Sequence, residues 1–206
     1  MRAALLAALC CLGLAGCAGL SPARTGSTAP ADAPAAAGRP YQETIQLNGR
    51  LSLRYQQNGR DEALHGSFNW NQTPALTRVA LLSPLGQTMA VIEAAPGGAT
   101  LTQANQPPQS APDVDALVAQ TLGWPLPVAG LRDWLQGYAT DAAGRRVAAS
   151  PANPSIVTRD GWQLDYAAWQ DDPERPGASL PRRIDVRRQT AQAGEVALRI
   201  VIDGRQ

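Results

Sequence analysis

Hydrophobic and polar residues alternate along most of the chain from residue 44 onward, which is the pattern of half-buried β-strands. The first run places Ile45, Leu47, Leu51, Leu53 and Tyr55 on one side of the backbone. Similar short runs follow at 64–70, 78–82, 88–93, 99–103, 155–158, 162–166, 184–186 and 196–202. An Asn-Gly pair at 58–59 and an Asp-Gly pair at 160–161 are hairpin signals. The pattern therefore predicts antiparallel strands joined by tight turns.

The middle of the chain changes to helical spacing. The apolar positions there are Val114, Leu117, Val118 and Leu122. Residues 110–113 (Ser-Ala-Pro-Asp) resemble a capping box with a proline in the first turn, and Gly123 is placed to end the helix. A second short helix is predicted from 128 to 136, after Pro127 and before Gly137.

The order of strands, short helical insert and strands predicts a mainly β protein, either α+β or an antiparallel sheet curled round the helices. Two short helices can cover the apolar face of a curved sheet without filling the space beneath them. Trp70 and Trp162 take apolar positions on strands, and Trp134 belongs to the insert. Because a buried tryptophan is most often core packing, a filled barrel and an open cavity both fit these residues.

The N-terminus has the features of an export signal. Arg2 precedes a continuous apolar run over residues 3–14, which is too short for an ordinary transmembrane helix. Leu-Ala-Gly-Cys at 14–17 has the lipobox pattern of bacterial lipoproteins, in which the cysteine takes a diacylglycerol before cleavage and the new amine can take a third chain. An ordinary signal peptide with an incidental cysteine is the alternative. Ala18 lacks the aspartate that retains such lipoproteins in the inner membrane, which favours the outer membrane.

The chain therefore divides into three predicted segments. Residues 1–16 are the signal peptide, and residues 17–40 are the lipidated Cys17 and a linker rich in Ala, Pro, Gly, Ser and Thr. Residues 41–206, about 165 in number, form one domain. Cys10 and Cys11 lie in the discarded segment, so the mature domain is expected to have no disulfide and no cysteine-based metal site.

Charge and motifs give little support for nucleic-acid binding or catalysis. The formal net charge is +1, every basic residue is arginine, and no basic cluster stands out, so no nucleic acid is expected as partner. His65 is the single histidine, and the chain has neither a Gly-x-Ser-x-Gly elbow nor a glycine-rich phosphate loop. The carboxylate pairs Asp171/Asp172 and Asp113/Asp115 fit a loop and a helix start. No enzyme activity, cofactor or metal is predicted, although a glycosidase-type carboxylate pair stays open.

A series of motifs in a fixed order resembles one family across nearly the whole domain. The motifs are the lipobox, NGRLSL at 48–53, GSFNW at 66–70, LLSPLGQT at 81–88, LGWPLP at 122–127, LRDWLQG at 131–137, Gly-Trp at 161–162 leading to Tyr166, and Leu-Pro at 180–181. Their order and spacing are similar to the LolB family, the outer-membrane receptors of the lipoprotein-localisation (Lol) pathway. The chain departs from the family in lacking an aromatic residue after Val201 and in its Pro- and charge-rich segment 171–178.

The resemblance implies an incomplete antiparallel β-barrel covered by a helical lid, with an apolar interior, as in LolA and LolB. It implies a receptor, expected to be a monomer at the periplasmic face of the outer membrane. Such a receptor accepts the acyl chains of lipoproteins from the periplasmic carrier LolA and inserts the lipoproteins into the outer membrane. The candidate cavity residues are Phe68, Trp70, Leu117, Leu131, Trp134, Trp162 and Leu164.

The turn Ser83-Pro84-Leu85-Gly86 carries a large apolar side chain where turns usually carry polar ones. The resemblance implies a protruding leucine that takes part in membrane insertion of the cargo, with Pro84, Leu85 and Gly86 as the insertion loop. The alternative is that Leu85 folds inward and caps the barrel end.

Two other functions remain open at this point. A lipid-anchored adaptor would hold a partner protein and would have a filled barrel. A lipid-anchored hydrolase would depend on His65 or on a carboxylate.

Overall fold

The computed structural model describes residues 39–124 and 126–206, and most of these residues lie in β-strands. The strands before the helices are β1 (Ile45–Gln57), β2 (Arg60–Gln72), β3 (Thr77–Leu82), β4 (Thr88–Ala95), β5 (Gly98–Gln103) and β6 (Gln109–Ala111). The insert contains α1 (Val114–Leu122) and α2 (Leu131–Trp134). The later strands are β7 (Tyr138–Thr140), β8 (Arg146–Ala148), β9 (Ser155–Val157), β10 (Gln163–Asp171), β11 (Ser179–Thr190) and β12 (Gly194–Arg205).

Ten strands form one antiparallel sheet in the order β6-β5-β4-β3-β2-β1-β12-β11-β10-β9, and β7 and β8 form a separate ribbon. The long first and last strands pair in the middle of the sheet, where Leu51 lies opposite Ile200. The edges β6 and β9 do not pair with each other, so the barrel is incomplete. The chain passes from one edge to the other through α1, α2 and the ribbon. The predicted fold class, an incomplete antiparallel barrel with a helical insert, is confirmed.

The alternation read from the sequence produces continuous apolar rows across the inner face. In one such row, the cross-strand partners in order from β1 to β5 are Leu47, Trp70, Val79, Ile92 and Leu101. All five side chains are buried. Burying a large apolar side chain contributes about 1.5–3 kcal/mol, so such rows fix the register of the sheet.

The predicted hairpin turns are present. Asn58 (φ 54°) and Gly59 (φ 74°) both adopt left-handed conformations, as a two-residue type I′ turn requires. At the second signal, the Thr158 amide donates to the Trp162 carbonyl oxygen over 2.8 Å, and Gly161 has φ 79°.

The start of α1 differs from the prediction. The N-cap is Asp113, whose carboxylate accepts a 2.7 Å hydrogen bond from the Ala116 amide. Ser110 instead lies in β6, where its hydroxyl faces that of Thr100. Gly123 ends the helix with φ 80°, as predicted.

The second helix is shorter than the predicted span of 128 to 136. Only Leu131–Trp134 is α-helical, and turns precede and follow it. Gly130 at its start has low helix propensity and leaves room for the Trp134 ring, which a β-carbon there would approach to 2.8 Å. Gly137, with φ 83°, ends the segment.

The fold begins earlier than the predicted boundary at residue 41. Arg39, assigned to the linker from sequence, is only 4% exposed. Its guanidinium donates to the carbonyl oxygens of Ser179 (2.6 Å) and Ala149 (3.0 Å), and its own carbonyl accepts from the Tyr138 hydroxyl. The predicted signal peptide, Cys17 and the linker up to residue 38 lie outside the described residues. Across residues 39–124 and 126–206, no helix has the length and apolar character needed to cross a bilayer.

Candidate functional site

The concave face of the sheet and the helical insert enclose a cavity of about 310 Å³. Its floor comes from the inner faces of β1 to β5 and β12, and its roof comes from α1 and the segment 126–135. Of the lining residues that the structure describes, all but Gln103 and Thr121 carry apolar side chains. The volume falls within the range of small-molecule sites, and the lining suits a hydrocarbon ligand.

The cavity exists because the roof is too small to fill the concave sheet. In α1, Val114, Leu117 and Val118 are buried against the sheet, while Thr121 and Leu122 lie at its more exposed end. A helix of nine residues covers only part of a sheet whose central strands have 12 or 13 residues. The residual space is lined by the same inward-facing positions that form the core elsewhere.

Four of the seven candidate cavity residues lie in the cavity wall. They are Phe68 and Trp70 on β2, Leu117 on α1 and Leu131 on α2. Sequence reasoning did not single out other lining residues, including Leu64, Met89 and Gln103. The signal was present for Leu64 and Gln103, which take inward positions on predicted strands. Met89 has the opposite parity to the buried Ala90 and Ile92, and it lies at the register shift between β3 and β4, which alternation does not predict.

Trp134, Trp162 and Leu164 lie elsewhere, which corrects their assignment to the cavity. They are buried in a filled part of the core, where the Trp134 and Trp162 ring centroids are 6.5 Å apart. The Tyr166 hydroxyl donates to the Trp134 carbonyl oxygen over 3.1 Å. The cause is topological: Trp162 precedes β10 and Leu164 lies on it, three strands beyond β1, where Trp134 of α2 packs against Trp162.

The turn between β3 and β4 holds Leu85 away from the domain. The Gly86 amide donates to the Ser83 carbonyl oxygen, and the Ser83 amide donates to the Gln87 carbonyl oxygen, both over 2.8 Å. With Gly86 at φ 80°, this is a type I turn followed by a bulge, and Pro84 supplies the fixed φ of its second position. Leu85 is 88% exposed, so the alternative in which it folds inward is wrong.

The turn lies at an open end of the cavity. Leu81 on β3 and its partner Ala90 on β4 both line the cavity, only a few residues from Leu85. Met89 also lines it and is 36% exposed. Exposed apolar side chains are therefore present both at this end of the cavity wall, in Met89, and at the tip of the hairpin, in Leu85.

The charged groups of residues 39–124 and 126–206 lie outside the cavity lining. On the outer face, the Asp185 carboxylate accepts 2.7 Å hydrogen bonds from both Arg183 and Arg199. Burial raises the pKa of Asp185, but these two hydrogen bonds outweigh burial and hold the pKa below its ordinary value. At the end away from Leu85, burial and the charge of Arg39 lower the pKa of Arg205 to about 10.

The residues considered for catalysis are either exposed to solvent or hydrogen-bonded to nearby groups of the chain. His65 is exposed on the outer face of β2, opposite Ser52. Asp113 caps α1, and the Asp172 carboxylate accepts from Arg175 over 3.2 Å. Among the residues described, no group of three or more His, Cys, Asp or Glu is arranged to hold a metal ion.

Comparison with known proteins decides the family. The model of the family described as outer membrane lipoprotein LolB matches residues 43–204. The chain belongs to the LolB family. The outer-membrane lipoprotein LolB of Cupriavidus taiwanensis is 43% identical over 204 residues, covering 95% of each chain. That of Cupriavidus necator is 43% identical over 203 residues, covering 96% of this chain and 95% of the relative.

Membership of the LolB family gives the chain an outer-membrane location and a role as a lipoprotein receptor in lipoprotein localisation. Among solved structures, a LolA superfamily protein from Nitrosomonas europaea is similar with a TM-score of 0.46 and 11% identity, covering 82% of this chain and 87% of that one.

Proposed function

We propose that this LolB-family chain takes lipoproteins from the periplasmic carrier LolA by binding their acyl chains in the cavity. It then releases them into the outer membrane. The observation that carries this proposal is the apolar lining of a cavity of about 310 Å³ beneath the helical lid. A filled barrel, as an adaptor without a lipid site would have, does not fit this observation.

Transfer from one apolar cavity to another avoids the main barrier to moving an acyl chain. Each methylene exposed to water costs about 0.8 kcal/mol, so spontaneous exit of long chains is very slow. If the two cavities meet, the chains pass without hydration, and the direction depends only on which cavity binds more tightly. This process requires no covalent chemistry, which is why we propose a receptor rather than an enzyme.

The exposed Leu85 supports a route for release. The loop at 83–88 carries no charged residue, so it can enter the interfacial region of a bilayer without burying a charge. Burying a leucine side chain contributes about 1.5–3 kcal/mol, which favours an orientation with the cavity opening facing the membrane. Pro84 and Gly86 hold the side chain in this exposed position.

The proposed anchor is the lipid on Cys17. Two or three acyl chains at about 0.8 kcal/mol per buried methylene hold a protein firmly at a membrane. The floor and the roof of the cavity both come from a single chain, so we expect the receptor to act as a monomer on the periplasmic face.

The test uses the mature chain with Cys17→Ala, which removes the proposed anchor. This chain is mixed with carrier protein already loaded with a lipoprotein, the two proteins are separated, and the cargo is located by immunoblot. We expect the cargo on the LolB-family chain. Cargo that stays wholly on the carrier, with both proteins folded by circular dichroism, would contradict the proposal.

A further inference from the structure

Gln103 is a polar residue at a position where the strand pattern calls for an apolar one. In β5, Ala99 and Leu101 face inward and are buried, and Gln103 is the next residue of the same parity. Its cross-strand partner is Ala90, a buried residue of the cavity wall. The Gln103 side chain therefore belongs to the cavity lining, and the strand register fixes it there.

The side-chain amide of Gln103 does not stabilise the fold through a hydrogen bond within the described residues. In the described part of the chain, no hydrogen bond joins this amide to another group, although the amide offers two donors and an acceptor. Thr121 is the other polar lining residue, and its hydroxyl donates to the Leu117 carbonyl oxygen over 2.9 Å. Gln103 is thus the lining residue whose donors remain free for a ligand.

Gln103 lies near the same open end of the cavity as the Leu85 turn. In an antiparallel meander alternate turns share an end, and Gln103 is the last residue of β5, just before the β5–β6 turn. Its partner strand β4 begins at that end with Thr88 and Met89. The deeper lining, around Trp70 and Leu135, is apolar.

We infer that Gln103 binds the polar junction of a lipoprotein's acyl chains, the ester and amide groups that join the chains to the glyceryl-cysteine. The side-chain NH₂ donates to an ester carbonyl oxygen, and the side-chain oxygen accepts from the N–H of an N-acyl amide. This inference rests on the proposed function. Gln103 selects acyl esters and amides over plain hydrocarbon, and it sets the depth to which the acyl chains enter the cavity.

The selectivity follows from how the two kinds of lining act. An apolar wall binds any hydrocarbon of suitable shape in proportion to the area buried, so it discriminates weakly between ligands. A ligand without a hydrogen-bonding group strips water from the Gln103 amide and leaves that amide unpaired. A ligand with a carbonyl group at the same depth replaces the lost water.

The experiment compares two synthetic lipopeptides with the same peptide and a free α-amine. One carries two palmitoyl esters on its glyceryl thioether, and the other carries two hexadecyl ethers, which lack the carbonyl groups. Each is titrated by calorimetry into the mature chain bearing Cys17→Ala, alone or combined with Gln103→Met. Methionine keeps the length of the side chain and removes the amide, and Thr121→Val is the matched control at the other polar lining residue.

We expect the parent chain to prefer the ester by about fivefold, the effect of one neutral hydrogen bond. Gln103→Met should abolish this preference mainly by strengthening ether binding by about fivefold, because no amide is then left unpaired. Retained ester binding also shows that the variant is folded. Thr121→Val should keep the preference. An ester preference that survives Gln103→Met, or that is absent from the parent chain, would overturn this inference alone. Failure of both lipopeptides to bind the parent chain would overturn the proposed function as well.

Discussion

The backbone amide of Gly86 donates a 2.8 Å hydrogen bond to the carbonyl oxygen of Ser83, and this bond closes the turn from which Leu85 projects. The Ser83 hydroxyl adds a second constraint, because it accepts from the Gln87 amide over 3.2 Å. The exposure of Leu85 is thus set by the backbone geometry of the hairpin.

Replacing Leu85 separates acceptance from release. Because the side chain is 88% exposed and does not line the cavity, Leu85→Glu should change the free energy of unfolding by less than about 0.5 kcal/mol. Acceptance of cargo from the carrier should continue. Release into liposomes should fall by about tenfold or more, because a carboxylate resists entry into the bilayer. Liposome flotation after transfer measures both steps.

The matched control is Leu76→Glu. Leu76 is an exposed leucine in the β2–β3 turn, at the opposite end of the sheet from Leu85. This variant should accept and release cargo normally. Equal loss of release in both variants would mean that Leu85 has no special role.

Ligand binding in the cavity should change the fluorescence of one tryptophan, Trp70. Trp70 lines the cavity, whereas Trp162 is buried in the filled part of the core. Addition of a diacylated lipopeptide should change the emission of the parent chain and of Trp162→Phe. Trp70→Phe should lose most of this change while still binding the ligand by calorimetry. An unchanged response in Trp70→Phe would place the ligand elsewhere.

Filling the cavity should cost binding rather than stability. Ala90 lines the cavity, so Ala90→Leu places three extra carbon atoms into open space. We expect an unchanged or higher free energy of unfolding in urea and about tenfold weaker lipopeptide binding. By contrast, Ala149 is fully buried outside the cavity lining, and Ala149→Leu should lower the free energy of unfolding by about 1–3 kcal/mol through overpacking. Similar stability changes in the two variants would argue against an open cavity.

The ion pairs of Asp185 predict an acid-dependent part of the stability. Its pKa in the folded state lies below the ordinary value, so its contribution is present above about pH 4 and is lost as the pH falls through the folded pKa. Asp185→Asn should lower the free energy of unfolding by up to about 1 kcal/mol at pH 7, since the two arginines are partly exposed. Urea denaturation at pH 7 and pH 2.5 should show this difference shrinking in acid. A difference that persists in acid would assign the effect to packing.

Sequence patterns predicted the long elements because one physical cause dominated each. Alternation set β1 and β2, and Gly123 marked the end of α1 by its left-handed conformation. The strands β6 to β9 have three residues each, too few to show a period. Arg39 is preceded by a stretch rich in alanine and proline, and only its tertiary contacts reveal that it belongs to the domain.

The candidate site was predicted only in part for a related reason. Trp70 and Trp162 both occupy inward positions, and inward parity predicts burial for both. Whether the space beyond a side chain is filled depends on where the helices lie over the sheet, and that placement is not encoded in local periodicity. Gln103 could not be recognised as a candidate binding residue from the sequence. A single polar residue in an alternating run gains a functional interpretation only when the cavity beside it is known.

Acyl-chain binding in the cavity is tested most directly by identifying the residues that touch the acyl chains. Lipoprotein carrying a diazirine near the end of an acyl chain is transferred to the mature chain with Cys17→Ala, irradiated, and mapped by mass spectrometry. We expect labels on the cavity wall, including Phe68, Leu117 and Leu131. Labels confined to the outer face, such as around His65, or to the filled core around Trp162, would contradict binding in the cavity.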